Sequence, residues 1–274
     1  MRYLLALTAT LTIIIASVAG FAGTAGAATS DISSNWSGFA VGGNTFSSVS
    51  GSWVQPKAVC SGGTSSAAFW VGLGGNSDAS NALEQIGTSS DCSADGTPSY
   101  SAWYELVPAG SVPIKLKVFA GNKLSAAVKV NGMKVTVQVK NLTRKTSFTK
   151  VLTMAAPDVS SAEWIAEAPS VCDTFGRCRT VPLTDFQKAN FSKSVATAAG
   201  HTGTISDPLW TATSIQLQST ADFGPFASAS SAAQAVPSNL SSDGSAFSVS
   251  YTAVTQPTQP DPFSGGGGNF STSR

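Results

Sequence analysis

Hydrophobic and polar residues alternate in short segments along much of the chain, a pattern typical of half-buried β-strands. Segment 112–119 alternates in its middle, and segments 124–130 and 133–139 carry valines at alternate positions. Asn131 and Gly132 separate the last two segments, and this dipeptide favours a two-residue hairpin turn. The pattern therefore predicts a strand over 112–119 followed by a β-hairpin.

Similar segments continue towards the carboxyl terminus. Residues 143–146 are predicted to form a turn before a strand over 147–154, and two later strands are expected over 213–217 and 246–254. No long stretch has the period of an amphipathic helix. Many short strands separated by turns favour an all-β sandwich or barrel. The Ala/Ser-rich segment 221–245 is expected to be a long loop.

The amino terminus has the features of a secretory signal peptide over 1–27. Arg2 supplies the positive charge, residues 4–18 are almost entirely apolar, and Ala25-Gly26-Ala27 offers a cleavage site. The apolar run is too short to span a membrane comfortably, and no second run of membrane length follows. We therefore expect a secreted, extracellular protein with no membrane contact after cleavage.

The mature chain is expected to consist of one folded domain and a tail. Residues 28–254 are numerous enough for a sizeable core, whereas residues 255–274 are rich in Gln, Pro and Gly and are predicted to be disordered. Without Arg2, 15 basic residues balance 15 acidic residues. This neutrality argues against nucleic acid or an anionic membrane as a partner, and we expect a monomer.

Four cysteines in an exported chain suggest two disulfides, for which three pairings are possible. Cys172 and Cys178 are close enough in sequence for a local loop, which leaves Cys60 to pair with Cys92. A metal site is a poor alternative because Cys-x-x-Cys spacing and histidine partners are both missing. We therefore expect Cys60–Cys92 and Cys172–Cys178, with no metal and no cofactor.

The chain has only four glutamates, and three of them lie in two predicted strands with strict alternation. In the segment 100–105, Trp103 and Glu105 share one face; in the segment 162–167, Glu163 and Glu167 share one face. A sheet face with glutamates and a tryptophan suits an exposed groove with an aromatic floor. A solvated sheet face with scattered carboxylates is the alternative.

Five short motifs occur in a distinctive order and spacing along the chain. They are Asn35-Trp36-Ser37-Gly38, Phe69-Trp70-Val71-Gly72-Leu73-Gly74-Gly75, Gln85-Ile86-Gly87, Tyr100-Ser101-Ala102-Trp103-Tyr104-Glu105 and Ala162-Glu163-Trp164-Ile165. Together they resemble the glutamic peptidases, also called eqolisins, which are best known as secreted fungal acid proteases. The resemblance extends from about residue 35 to residue 254.

The resemblance implies a concanavalin-like sandwich of two antiparallel sheets, with the active site on the concave face of one sheet. It implies polypeptide substrates and a catalytic dyad whose glutamine falls on Gln85 and whose glutamate falls on Glu163. It also implies a set of cleft residues that bind substrate. That set comprises Asn35, Trp36, Trp70, Trp103 and Glu105.

Such a dyad is chemically reasonable. An ionised Glu163, with an ordinary pKa near 4.3, can take a proton from water in mild acid. The Gln85 amide can donate to the oxygen that gains negative charge, and it remains a donor at every pH. Glu84 is expected on the opposite face of its strand. Gly74 stands where the fungal enzymes tend to carry an aspartate, which puts one supporting hydrogen bond in doubt.

Two other functions are compatible with the same fold. One is a non-catalytic module that binds peptide or carbohydrate in the tryptophan groove. The other is a glycoside hydrolase, which needs two carboxylates and could use Glu105 and Glu163. Turnover of denatured protein in acid would favour the peptidase, whereas activity on glucans alone would favour the glycoside hydrolase.

Overall fold

The computed structural model describes residues 28–77, 80–172, 175, 178–218 and 233–253, with no side-chain description for Cys172. The predicted signal peptide, 1–27, and the predicted tail, 255–274, lie outside these residues. Every regular element among the described residues is a β-strand. The strands are β1 (Thr29–Ser33), β2 (Trp36–Gly42), β3 (Phe46–Val54), β4 (Ser65–Leu73), β5 (Leu83–Cys92), β6 (Pro98–Val107), β7 (Val112–Ile114), β8 (Lys123–Asn131), β9 (Lys134–Asn141), β10 (Thr146–Thr153), β11 (Ser161–Glu167), β12 (Ser170–Cys172), β13 (Cys178–Thr180), β14 (Lys188–Ala198), β15 (His201–Thr204), β16 (Thr211–Gln218), β17 (Ala233–Pro237) and β18 (Phe247–Ala253).

One continuous path of antiparallel pairing joins most of these strands. Its order is β10-β9-β8-β3-β14-β18-β17-β16-β2-β11-β4-β5-β6-β7, and the hairpin β12–β13 forms a separate small sheet. The path folds over so that β3, β8 and β14 pack on β4, β5 and β11. The result is the antiparallel β-sandwich that the sequence predicts, with β1 added in parallel to β16.

The core lies between the two layers and contains large side chains from both. Trp164 of β11 donates its Nε1 hydrogen to the carbonyl oxygen of Ser50 in β3, at 2.8 Å. Gly51 makes this close approach possible, because a Cβ there would lie 2.8 Å from Cδ1 of Trp164. The buried Trp164 indole contributes a large apolar contact area, and its hydrogen bond fixes the register between the two layers.

Several predicted strands are confirmed and two expectations are wrong. The hairpin around Asn131 and Gly132 forms as β8 and β9, and β10, β16 and β18 occupy the later predicted positions. The strand predicted over 112–119 ends at Ile114; residues 115–118 still alternate between exposed and buried but form no ladder. The segment 221–245 contains β17, which forms because β16 and β18 offer pairing edges on both sides. No described helix could span a membrane.

The Cys60–Cys92 disulfide is confirmed, with a sequence separation of 32 residues. It ties the loop before β4 to the end of β5. Cys172 and Cys178 face each other across the β12–β13 hairpin. The Cys172–Cys178 bridge stays a prediction because the Cys172 side chain lies outside the described part of the structure.

Candidate active site

Four neighbouring strands bring the predicted catalytic residues into one row across the sheet. Glu163 of β11 pairs with Gly72 of β4, Gly72 pairs with Gln85 of β5, and Gln85 pairs with Glu105 of β6. Residues paired in this way share a face of the sheet. Glu163 and Gln85 are thus separated by two strand spacings, about 10 Å at the Cα atoms. The residue between them has no side chain.

Gly72 lets neighbouring side chains lie directly over the backbone between these two residues. A Cβ at Gly72 would lie 2.9 Å from Cζ3 of Trp70 and 3.0 Å from Cδ1 of Leu83. Both distances are shorter than ordinary carbon contacts. An alanine at this position would therefore push Trp70 and Leu83 away from the space between Glu163 and Gln85.

The adjacent row of the same face is aromatic. Trp70 of β4 pairs with Gly87 of β5, and Gly87 pairs with Trp103 of β6. A Cβ at Gly87 would lie 2.6 Å from Cβ of Trp70 and 3.1 Å from Cζ2 of Trp103. The absence of a side chain at Gly87 thus allows the two tryptophans to approach each other from either side. Trp103 Nε1 donates to Ser89 Oγ at 2.9 Å, which fixes its ring.

The third row holds a carboxyl group that the sequence analysis placed on this face but did not include in the site. Glu167 Oε2 accepts a hydrogen bond from Trp70 Nε1 at 2.7 Å, and its Oε1 accepts one from Asn35 Nδ2 at 3.2 Å. Burial raises the pKa of Glu167 to about 7. The hydrogen bonds oppose this shift, and the Glu105 charge adds to it. Trp36 packs edge-on against Trp70, with ring centroids 5.0 Å apart. Glu167 therefore organises the predicted tryptophan cluster.

A cleft of about 860 Å³ lies over this face. The predicted site residues that line it are Asn35, Trp36, Gln85, Trp103 and Glu105. Asp91, Glu105 and Glu167 are the charged side chains of its wall.

Two predicted site residues lie below the cleft surface. Glu163 and Trp70 are both 0% exposed, whereas Gln85 is 4% exposed and lines the cleft. The expectation of an exposed groove is therefore wrong for Glu163 and Trp70. Alternation along a strand identifies the shared face but not the depth at which each side chain lies, since neighbouring side chains and loops can cover that face.

The environment of Glu163 favours its neutral form. Neither carboxyl oxygen has a hydrogen-bond partner among the described residues, and the neighbouring Ser161 hydroxyl is likewise unpaired. Burial raises the pKa of Glu163 well above its usual range; the nearby Ser161 hydroxyl opposes this effect, and the charges of Asp158 and Glu84 add to it. The ordinary pKa assumed from the sequence is therefore wrong for this carboxyl group.

Gln85 is oriented by a single partner. Its Nε2 donates to Glu105 Oε2 at 2.8 Å, while its buried Oε1 has no partner within the described structure. Because a side-chain amide has two N–H donors, one hydrogen remains for another acceptor. Burial raises the pKa of Glu105, although the Gln85 hydrogen bond opposes this shift.

The comparison with protein families decides the family to which this chain belongs. The model of the peptidase A4 family matches residues 34–239. The chain belongs to the peptidase A4 family. The resemblance to glutamic peptidases is thereby confirmed, and the protein is a peptide hydrolase. The binding module and the glycoside hydrolase are not retained as alternatives.

Individual peptidase A4 relatives agree with this assignment. The chain is 27% identical over 206 residues to aspergillopepsin-2 of Aspergillus niger, covering 66% of this chain and 71% of that protein. It is 29% identical over 199 residues to scytalidopepsin B of Scytalidium lignicola, covering 70% and 74%. The solved structure of scytalido-glutamic peptidase with a transition state analog inhibitor superposes with a TM-score of 0.64 at 24% identity, covering 80% and 98%.

Asp158 occupies the space beside Gly74. A Cβ at Gly74 would lie 2.5 Å from Cβ and 2.8 Å from Cγ of Asp158. The space beside Gly74 is therefore filled by an aspartate from a different segment of the peptidase. Asp158 was missed in the sequence analysis because nothing in a loop sequence shows which distant strand the loop will pack against.

Glu84 lies on the opposite face of β5 from Gln85, as expected, and is also fully buried. Burial raises its pKa to about 8; a hydrogen bond from the Asp158 backbone opposes this shift, and the Asp158 charge adds to it.

No group of three or more His, Cys, Asp or Glu side chains within the described ranges could hold a metal ion.

Proposed function

We propose that this protein is a secreted glutamic endopeptidase that hydrolyses polypeptides in acid through a Gln85/Glu163 dyad. The observation that carries the proposal is the row across the sheet in which only Gly72 separates Glu163 from Gln85. This arrangement places a carboxyl group and an amide donor on opposite sides of a gap that has no side chain of its own.

The proposed reaction uses Glu163 as the base. Ionised Glu163 removes a proton from a water molecule, and the water oxygen attacks the carbon of the scissile amide. The amide oxygen gains negative charge and accepts a hydrogen bond from the free N–H of Gln85, a contact worth about 10²–10³ in rate. The C–N bond then breaks as protonated Glu163 returns the proton to the leaving nitrogen.

Glu105 acts on this reaction through Gln85. Its hydrogen bond to Nε2 fixes which end of the amide is the donor, so the second N–H of Gln85 has a defined direction. The three tryptophans provide rigid apolar area for an extended peptide. Trp36 and Trp103 contribute directly because they line the cleft, whereas Trp70 supports them from below.

The burial of Glu163 has two consequences for the proposed activity. First, water and the scissile bond reach Glu163 only when the side chains over the row move aside. Second, a base that is protonated in the resting enzyme limits activity at the acidic end. We therefore expect kcat/KM to rise with pH along its acid limb as Glu163 ionises.

Secretion is supported by the Cys60–Cys92 disulfide, because disulfides persist in oxidising compartments. The apolar segment within residues 1–27 supports the same conclusion. Secretion is tested on protein recovered from the culture medium, whose amino terminus should be Ala28. Retention of the full chain in the cell would contradict secretion.

The dyad is tested by single substitutions assayed on denatured protein between pH 2 and 7. Glu163→Gln and Gln85→Ala should each retain less than a tenth of wild-type activity while keeping a normal unfolding transition. Chelators, thiol reagents and pepstatin should leave the wild-type activity unchanged. A folded variant with more than a tenth of the activity would refute the dyad, and a strong loss with EDTA would indicate a metallopeptidase.

A further inference from the structure

Asp158, in the loop between β10 and β11, is bonded to two segments that are distant in sequence. Its backbone N–H donates to Glu84 Oε1 of β5 at 3.2 Å. Its Oδ2 accepts hydrogen bonds from the backbone N–H of Gly75, at 3.2 Å, and from the Ser80 hydroxyl. Gly75 and Ser80 both belong to the loop that follows β4, of which residues 74–77 and 80–82 are described. One residue therefore connects this loop to β5.

The same residue also fixes the start of the strand that carries Glu163. Its Oδ1 accepts a hydrogen bond from the backbone N–H of Ser160 at 2.8 Å. A second bond, from the Gly74 N–H to the Ser161 carbonyl at 3.1 Å, reinforces the junction between this loop and β11. Loop capping alone would explain the Ser160 bond, but it would not explain bonds to residues that are 74–83 positions away.

The loop that Asp158 holds abuts the side chains next to the catalytic row. A Cβ at Gly75 would lie 3.3 Å from Cη2 of Trp36 and 3.2 Å from Cβ of Leu83. Leu83 in turn lies over Gly72, between the two proposed catalytic residues. The position of this loop therefore determines the packing of Trp36 and Leu83 over the row.

Asp158 is suited to accept these hydrogen bonds as a carboxylate. Although burial opposes the shift, hydrogen bonds from Ser80, Ser160 and Gly75 lower its pKa. No ion pair among the described residues involves it. Its charge raises the pKa of both Glu84 and Glu163.

We propose that Asp158 is a positioning residue of this peptidase. It holds residues 74–77 and 80–82, β5 and the start of β11 in the arrangement that aligns Glu163 with Gln85. The inference rests on the proposed dyad, because it assigns a role to a residue that itself does not touch the reacting atoms. It also gives a reason for Gly74: any side chain there would displace Asp158.

Two variants of the full chain remove the hydrogen bonds of Asp158 to different extents. Asp158→Ala removes the charge and both oxygen acceptors, whereas Asp158→Asn removes the charge, keeps one oxygen acceptor and replaces the other with an amide donor. Asp243→Asn is the matched control, because Asp243 accepts the N–H of the residue two positions later, as Asp158 does, but its bonds stay within one exposed turn. The measurements are kcat and KM on one peptide from pH 3 to 8, and amide hydrogen exchange over 74–77 and 80–82.

For Asp158→Ala we expect kcat to fall tenfold or more, KM to change less than threefold, and exchange over the loop to accelerate at least tenfold. For Asp158→Asn, whose remaining oxygen can still accept from Gly75 and Ser80, we expect a smaller loss of kcat and a smaller acceleration of loop exchange than for Asp158→Ala. Its acid limb should move to lower pH, because the Asp158 charge raises the pKa of Glu163. Glu84 is the other titratable group that does so, while the flanking strands present Ala40 and Gly72. Asp243→Asn should match the wild type.

Equal losses of kcat in the Ala and Asn variants would overturn the positioning role, because the remaining acceptor would then have no value. An Asp158→Ala enzyme with more than half of the wild-type kcat and unchanged loop exchange would overturn it as well. Failure of the dyad itself is distinguishable: Glu163→Gln would then stay active, while the exchange measurement on Asp158→Ala would still report on the loop.

Discussion

Polar side chains are buried at both ends of β5, but the two ends differ in how many of these polar atoms have hydrogen-bond partners. At one end, Thr88 Oγ1 accepts from Trp53 Nε1 at 3.0 Å, and Ser90 Oγ accepts from Gln55 Nε2 at 2.8 Å and donates to the Pro56 carbonyl at 2.8 Å. At the other end, Glu84 Oε2 and Gln85 Oε1 are buried without a partner among the described residues. The strand is regular along its whole length, so the difference lies in its surroundings.

Buried polar atoms without a hydrogen-bond partner occur in β11 as well as at this end of β5. Five of the eight buried, unpartnered side-chain polar atoms in the described structure belong to Glu84, Gln85, Ser161 and Glu163. Buried polar groups are normally hydrogen-bonded, and exceptions concentrate where function requires them. The comparison teaches that the polar side chains at one end of β5 are held by hydrogen bonds, whereas several buried polar groups around the proposed dyad have no partner among the described residues.

The largest effect on stability is expected when the covalent tie at the satisfied end is removed. Replacing Cys60 and Cys92 together by alanine should lower the free energy of unfolding by about 2–4 kcal/mol, because the unfolded chain loses its loop constraint. Urea unfolding at pH 5 measures this loss. Activity per folded molecule should stay within threefold, and a tenfold loss would show that the disulfide shapes the active site directly.

A smaller loss is expected from Thr88→Val at the same end. This change leaves the buried Trp53 N–H unpaired and should cost about 1–3 kcal/mol with little effect on kcat. The matched control is Thr149→Val, since Thr149 accepts a similar side-chain bond from Gln138 at an exposed position. Equal costs for the two variants would contradict the claim that burial makes the Trp53–Thr88 bond valuable.

An effect of the opposite sign, which depends on pH, is expected from Glu84→Gln at the unsatisfied end. The folded-state pKa of about 8 exceeds the ordinary 4.5, so the folded protein holds a proton that the unfolded chain releases. This contribution to stability is fully present below pH 4.5 and is lost as pH rises towards 8. Glu84→Gln should therefore match the wild type at pH 4 and be more stable than the wild type at pH 7.5, where the wild type has lost this contribution. Unfolding curves at the two pH values measure this difference, and parallel losses in both proteins would contradict it.

How far the sequence predicts this molecule depends on whether a feature is local. The hairpin of β8 and β9 was predictable because the alternation and Asn131-Gly132 act within a few residues. The shared face of Glu163 and Glu167 followed from the two-residue period of a strand. The burial of Glu163, the contacts of Asp158 and the formation of β17 were not predictable, because each depends on which distant segment packs against it.

The most direct test of the central claim, that Gln85 and Glu163 act as one unit, is a double-mutant cycle on kcat/KM at pH 5. Each single variant should lose roughly 10²-fold or more. If both serve the same transition state, the double variant Gln85→Ala/Glu163→Gln should be within about tenfold of the weaker single variant, because members of one catalytic unit are far from additive. Losses that multiply in the double variant would contradict the account, since they would mean that the two residues contribute independently.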